Sequence, residues 1–340
     1  MEDFKENLED LKLSSSSSVT SKDKIFIFFR IFISLLLLLL IVILNSKRFS
    51  LIFKSIFNVN LLFIILAILA GLLSLYFESL RWNVLLRAQN KKINIGYLYI
   101  LIMSGFFYNN ILPSNIGGDL YRVYDLNKNK KVPLNLSASS VFLERFFGFI
   151  SIVIYFAATS FSIYKILKNY VIIITIFLFI ALILFLLIIK PELFKADKLF
   201  RKFKRLSKIE KKFNSFKNVL TSYKNKIPYL MGGFFLNIVA DTLIMIMYYF
   251  VSISLGLNLS FISFMFIVPV IFVFTGIPIS IGGLGVRENV IIFMLTRFGI
   301  SDANAVAFSV FILFVFVVNA IIAGIIYLFK NIFSKSKTII

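Results

Sequence analysis

The chain has 340 residues, 59% of them hydrophobic and 42 of them phenylalanine, with a mean hydropathy of +0.93, more apolar than an ordinary soluble domain. It has no cysteine and no histidine, which excludes disulfides, thiol nucleophiles, imidazole bases and most transition-metal sites. The net charge of +21 comes with no stacking motif or separate basic domain, so it reads as the Lys/Arg bias of cytoplasmic loops and not as a nucleic-acid surface.

In chain order, residues 1–24 are polar, with acidic Glu2, Asp3, Glu6, Glu9 and Asp10 and a serine run Ser14 to Ser18; this predicts a disordered tail. No signal-peptide cleavage site follows the first apolar run. That run, Ile25–Leu44, predicts the first span, with Arg30 snorkelling to the headgroups. Val59–Phe77 predicts the second, followed by a charged loop of Glu78, Arg81, Arg87, Lys91 and Lys92 with Trp82 at the interface. Ile95–Leu112 is apolar but short, and basic residues flank 95–120 on both sides, which predicts a re-entrant pair of helices. Further spans are expected at Ser137–Tyr164, with Glu144 and Arg145 as an interfacial pair, and at Tyr170–Ile189 after a short loop. From residue 190 to 228 the chain is strongly basic. Phe200, Phe203, Leu206, Ile209, Phe213 and Phe216 recur at helical spacing among lysines, the pattern of an amphipathic helix on the cytoplasmic surface. Pro228–Phe250 predicts a span, Phe261–Ile277 breaks early, Asn289–Phe298 is too short to cross, and Ala303–Phe329 predicts the last span before a basic tail at 331–340.

The two short segments end on the same phrase. Pro113 to Arg122 reads PSNIGGDLYR and Pro278 to Arg287 reads PISIGGLGVR, so both fit P-x-x-I-G-G-x-x-x-R. Proline stops a helix, paired glycines turn the chain without a Cβ penalty, and a helix restarting after them presents unpaired amides and a positive dipole end to an anion. Arg122 or Arg287 on the next turns is shaped for phosphate. Broken helices at matching positions of two halves are the sequence pointer to a midplane site in repeat-built transporters. The candidate headgroup residues are therefore Arg122, Arg287, Gly117, Gly118, Gly282, Gly283, Asp119, Glu288, Asn110 and Glu144.

Simpler roles compete for each of these residues. The glycines suit close helix packing. Asp119 suits a helix cap, an arginine partner or a contact to a cationic headgroup. Arg287 and Glu288 suit a structural ion pair, and Asn109, Asn110, Asn115, Asn237, Asp241 and Asn319 suit interhelical hydrogen bonds.

The fold expected is an all-α polytopic membrane protein, one transmembrane domain over 25–330, with roughly seven or eight crossings plus two broken or re-entrant hairpins in a pseudo-repeat. Arg81-Trp82 with Leu85-Leu86, Asn109-Asn110-Ile111-Leu112-Pro113, Gly117-Gly118-Asp119-Leu120-Tyr121-Arg122, Leu143-Glu144-Arg145, and Pro278 to Glu288 together resemble the lysylphosphatidylglycerol synthase transmembrane-region family, also called flippase-like domain proteins. The resemblance runs from about residue 25 to 330, and the second motif is the more specific; Ser114-Asn115-Ile116 departs from the small or basic residues common there. It implies the membrane half of the synthase alone, without the aminoacyl-transferase domain. It also implies movement of aminoacylated or related anionic phospholipids between the leaflets of the plasma membrane, with a separate lipid-modifying enzyme as a partner. Relatives tied to lipid-linked glycan assembly make a polyprenyl-phosphate transferase or its accessory subunit the second expectation. No Asp-x-Asp or Asp-Asp pair and no G-x-x-x-x-G-K-[ST] motif is present, so neither metal-dependent glycosyl transfer nor ATP drive is expected, and no catalytic, cofactor or metal residue is assigned. A transporter of ions or solutes unrelated to lipids fits the two broken hairpins equally.

Overall fold

A computed structural model describes residues 21–44, 57, 59–111, 117–189, 219, 221–277 and 280–336. Among them the elements are α1 (Ser21–Leu44), α2 (Leu61–Ala88), α3 (Ile95–Ile111), α4 (Gly117–Lys130), α5 (Leu134–Ile189), a 3-10 turn (Tyr223–Asn225), α6 (Ile227–Ser254), α7 (Phe261–Gly276), α8 (Val286–Arg297) and α9 (Asp302–Ser336), with no strand. The expected tail at 1–20, most of the basic segment (190–218), the Leu112–Ile116 breaker and Pro278-Ile279 lie outside the described residues.

Local chemistry accounts for most boundaries. Asn60 caps α2, its side chain accepting the Leu62 N–H at 3.0 Å. Pro228 opens α6 in the first turn, where its missing N–H costs nothing. Gly285, at φ +80°, precedes α8, and the Glu288 carboxylate accepts its N–H at 2.7 Å. That places negative charge at the positive end of the α8 dipole.

Among the described residues four helices are long and apolar enough to cross a membrane: Leu61–Ala88, Leu134–Tyr164, Ile227–Ser254 and Asp302–Leu328. Most of their exposed residues are apolar, with Arg87 and Arg145 the charged exceptions. On α2, Leu61, Ile65, Leu69 and Leu73 face outward while Ala67, Ala70, Gly71 and Ser74 face inward. Small and polar side chains inside and large apolar ones outside is the arrangement that hydrocarbon solvent selects.

The two halves, α2–α5 and α6–α9, have matching neighbours. Contacts α2–α3, α3–α4, α4–α5 and α2–α5 correspond to α6–α7, α7–α8, α8–α9 and α6–α9, and between halves α3–α9 corresponds to α7–α5. Helices α2 and α6 are antiparallel: Asn60 N–H bonds the Ser254 carbonyl, Ser74 Oγ the Ala240 carbonyl, and Tyr223 Oη the Leu85 carbonyl. Since these helices begin the two halves, the halves are inverted relative to each other across the bilayer. Hairpin α3–α4 thus enters from one face and the α7–α8 hairpin from the other. Their tips meet: a Cβ on Gly282 would lie 3.3 Å from the Asn109 carbonyl oxygen. Helix α1 stands outside this symmetry and packs on α8, with Ser34 Oγ accepting the Ile281 N–H at 3.0 Å.

Several expectations are corrected. Helix α2 continues to Ala88, so Glu78, Arg81 and Arg87 lie on a helix and not in a loop; Trp82 is fully buried, its indole N–H bonding Ser140 Oγ at 2.9 Å. Residues 165–169 are helical, because they contain neither Gly nor Pro to end α5, so no loop separates Tyr164 from Tyr170. Helix α9 reaches Ser336, into the expected tail, and α1 begins at Ser21. Arg30 is buried and does not snorkel.

Candidate functional site

The inward faces of the eight helices of the two halves line a cavity of about 600 Å³, in the size range of ligand sites. Four arginines (Arg81, Arg122, Arg145, Arg287) and four carboxylates (Glu78, Asp119, Glu144, Asp241) line it, together with Asn109, Asn110, Asn237 and Asn319. Charge at such depth is expensive, and it persists where groups pair with one another or serve a function.

Most of these charges form one continuous network. Asp241 on α6 accepts from Ser151 and from Asn237 Nδ2, the latter at 2.7 Å. Asn237 Oδ1 in turn accepts from Arg81 of α2. Arg81 Nε donates to Glu144 Oε1 at 3.3 Å, and the other oxygen of Glu144 takes Arg122 Nη2 at 2.6 Å. Arg122 also reaches Asp119 at 3.3 Å, and Asp119 accepts Arg145 Nη2 at 2.5 Å. The Arg122 guanidinium lies 4.3 Å over the Trp82 ring, a cation–π contact that favours its charge. The network ties the first hairpin to α2, α5 and α6.

Arg287 of the second hairpin is held differently. It pairs with its neighbour Glu288 at 3.0 Å and lies 4.4 Å over Phe316 of α9. Among the described residues, none of its ion pairs crosses to another helix.

Six of the ten residues singled out in the sequence line the cavity: Asn110, Asp119, Arg122, Glu144, Gly282 and Arg287. The other four do structural work. Gly117 and Gly118 form the first turn of α4, and the Gly118 N–H donates to Asn109 Oδ1 at 2.8 Å, so that amide is already paired. A Cβ on Gly118 would collide with the Gly105 carbonyl, which is the close-packing role weighed for it. Gly283 has φ +76° and Gly282 φ +55°, left-handed conformations that only glycine adopts readily; the two sequence copies therefore differ in backbone. Glu288 is buried in the α8 cap. Asp119 acts as an arginine partner; Glu144 is buried in the core, whereas Arg145 lines the cavity with its side chain 62% exposed.

Sequence reasoning placed Glu78 and Arg81 in a loop and passed over Tyr248. The available signal was the i, i+3 spacing of Glu78 and Arg81 directly after an apolar run, which keeps both on one helical face. Nothing local marks Tyr248 among fourteen tyrosines.

A family model described as the lysylphosphatidylglycerol synthase TM region matches residues 27–324. A UPF0104 membrane protein of Methanocaldococcus jannaschii is 29% identical over 282 residues, covering 75% of this chain and 81% of that one. No solved structure matches.

Proposed function

The chain belongs to the lysylphosphatidylglycerol synthase transmembrane-region family, and from that premise we propose that it translocates anionic or aminoacylated phospholipids between leaflets. The observation that carries this reading is that Arg122 and Arg287, brought in by hairpins from opposite faces, line the same cavity. A lipid phosphate there takes hydrogen bonds from guanidinium groups while its acyl chains stay in hydrocarbon through the apolar outer surface. The four-to-four charge balance favours exchange of partners over simple addition. A phosphate displaces a carboxylate from Arg122, and an amine on the same head meets the carboxylate released. Aminoacylated heads carry both groups. Inverted repeats supply the motion: rocking one half against the other exposes the same site to each leaflet in turn.

The basic end of the bundle, with Arg87, Lys91, Lys92, Lys128, Lys130, Lys131, Lys224 and Lys226, faces the cytoplasm of the plasma membrane in this reading. A separate lipid-modifying enzyme on that side supplies the substrate. The test is leaflet exchange of a fluorescent anionic phospholipid in proteoliposomes. Arg287→Ala is expected to abolish exchange while the protein stays folded, and undiminished exchange in that variant refutes the reading. A membrane transferase or accessory subunit acting on polyprenyl-phosphate lipids is the second reading. It is favoured by one observation: Glu78 and Asp241 line the cavity with no arginine among the described residues within 4.0 Å, leaving two carboxylates for acid–base work. Turnover of a polyprenyl phosphate by the purified protein would select it.

A further inference from the structure

The charge network leaves one part of the cavity wall unexplained. Three buried polar atoms on lining residues have no hydrogen-bond partner among the described residues: Arg122 Nε, Tyr248 Oη and Asn319 Oδ1. Their residues are 5%, 0% and 2% exposed. Orphaned buried groups of this kind are rare in folded proteins and call for an occupant. Arg122 Nε belongs to the phosphate site already described. Tyr248 and Asn319 do not, and they come from α6 and α9 of the second half.

Arg287 joins these two residues into a subsite. Its guanidinium covers Phe316, which precedes Asn319 by one turn of α9. Asn319 and Met247, the residue before Tyr248, both crowd the same point of α2, since a Cβ on Gly71 would meet Asn319 Nδ2 and Met247 Sδ. The Asn319 amide nitrogen is packed at Gly71, where a Cβ would strike it, so the glycine makes room for the asparagine. Met247, Ile271 and Phe316 add apolar surface to the cavity wall.

The chemistry selects the occupant. Asn319 Oδ1 is an acceptor and needs a donor; a phenol hydroxyl gives and takes one bond. A phosphate diester offers no donor to Asn319. An amine is better served at Glu78 and Asp241. A neutral hydroxyl satisfies both atoms, and its C–H groups suit the apolar wall. We propose that Tyr248 and Asn319 form a subsite for hydroxyl groups of a polyol or sugar on the lipid head, next to the phosphate held by Arg287. This rests on the lipid-binding reading above and specifies the head that the site accepts.

The test compares two short-chain lipids of equal charge, dioctanoyl phosphatidylglycerol and dioctanoyl phosphatidylmethanol, by the concentration of each that raises the melting temperature of the purified protein. Wild type is expected to respond to phosphatidylglycerol at about tenfold lower concentration, the worth of one buried hydrogen bond. Tyr248→Phe and Asn319→Leu are each expected to close that gap. Equal response of wild type to both lipids overturns the hydroxyl subsite and leaves lipid binding standing; response to neither removes both. A gap that survives in both variants overturns the assignment to these residues. Free glycerol that matches phosphatidylglycerol would identify a soluble polyol as the occupant and overturn the lipid source.

Discussion

Glu144 is the point where removal of one atom group tests the network directly. Its two oxygens hold Arg81 and Arg122 at 3.3 and 2.6 Å, and its side chain is 3% exposed. Glu144→Gln keeps the volume and leaves two buried guanidinium groups short of a counter-charge. Breaking a buried pair from one side costs about 3–5 kcal/mol. At roughly 2.1 cal/mol/K per residue over 340 residues, each kcal/mol lowers the melting temperature by about 1.4 °C, so the expected loss is roughly 4–7 °C. The assay is thermal unfolding in detergent followed by tryptophan fluorescence. The chain has one tryptophan, Trp82, and it lies under Arg122, so its emission reports on the network itself. The second arm is the double variant Glu144→Gln/Arg122→Gln. Removing Arg122 as well deletes one of the two uncompensated charges, so about half of the lost stability is expected to return. A single variant that melts within 1 °C of wild type with unchanged emission refutes the network as a structural element, and so does a double variant no better than the single.

Other expectations follow from particular contacts. Gly118→Ala places a methyl on the Gly105 carbonyl and is expected to lower the melting temperature by several degrees, whereas Gly148→Ala, which meets nothing within 4 Å, stays within 1 °C. Gly285→Ala combines a left-handed φ of +80° with a collision against Leu37 and the Ser34 carbonyl. It is expected to detach α1 from the second hairpin, seen as loss of an engineered disulfide cross-link between positions 34 and 281 that forms in the parent. The natural absence of cysteine makes the inverted topology testable: single cysteines at Asn129 and at Ser301 are expected to react with a membrane-impermeant reagent from opposite faces, and labelling from the same face refutes the inversion.

The membrane class, the helical content and the positions of the two interruptions were legible in the sequence because each is a local property. Continuous apolar runs longer than a bilayer leave no other solvent-compatible fold, and the G-G steps at 117–118 and 282–283 mark where helices break or restart. What each glycine does was not legible. Gly118 answers to a carbonyl thirteen residues earlier, whereas Gly283 answers to its own backbone angle. The reach of α2 was missed because composition cannot tell a charged loop from a helix whose charges turn inward; Glu78, Arg81 and Trp82 sit on an inward face only because α5 and α6 cover them.

Tertiary structure alone decided the site. Arg81 meets Glu144 across 63 residues of chain and Asn237 across 156, separations at which sequence pattern carries no signal. The antiparallel packing of α2 on α6 turns two copies of one phrase into hairpins from opposite faces, so that Arg122 and Arg287 share a cavity. Charge in a low-dielectric core persists only beside its complement. Which carboxylate reaches which arginine was therefore set by the way the helices pack, while the need for such partners was already written in the composition.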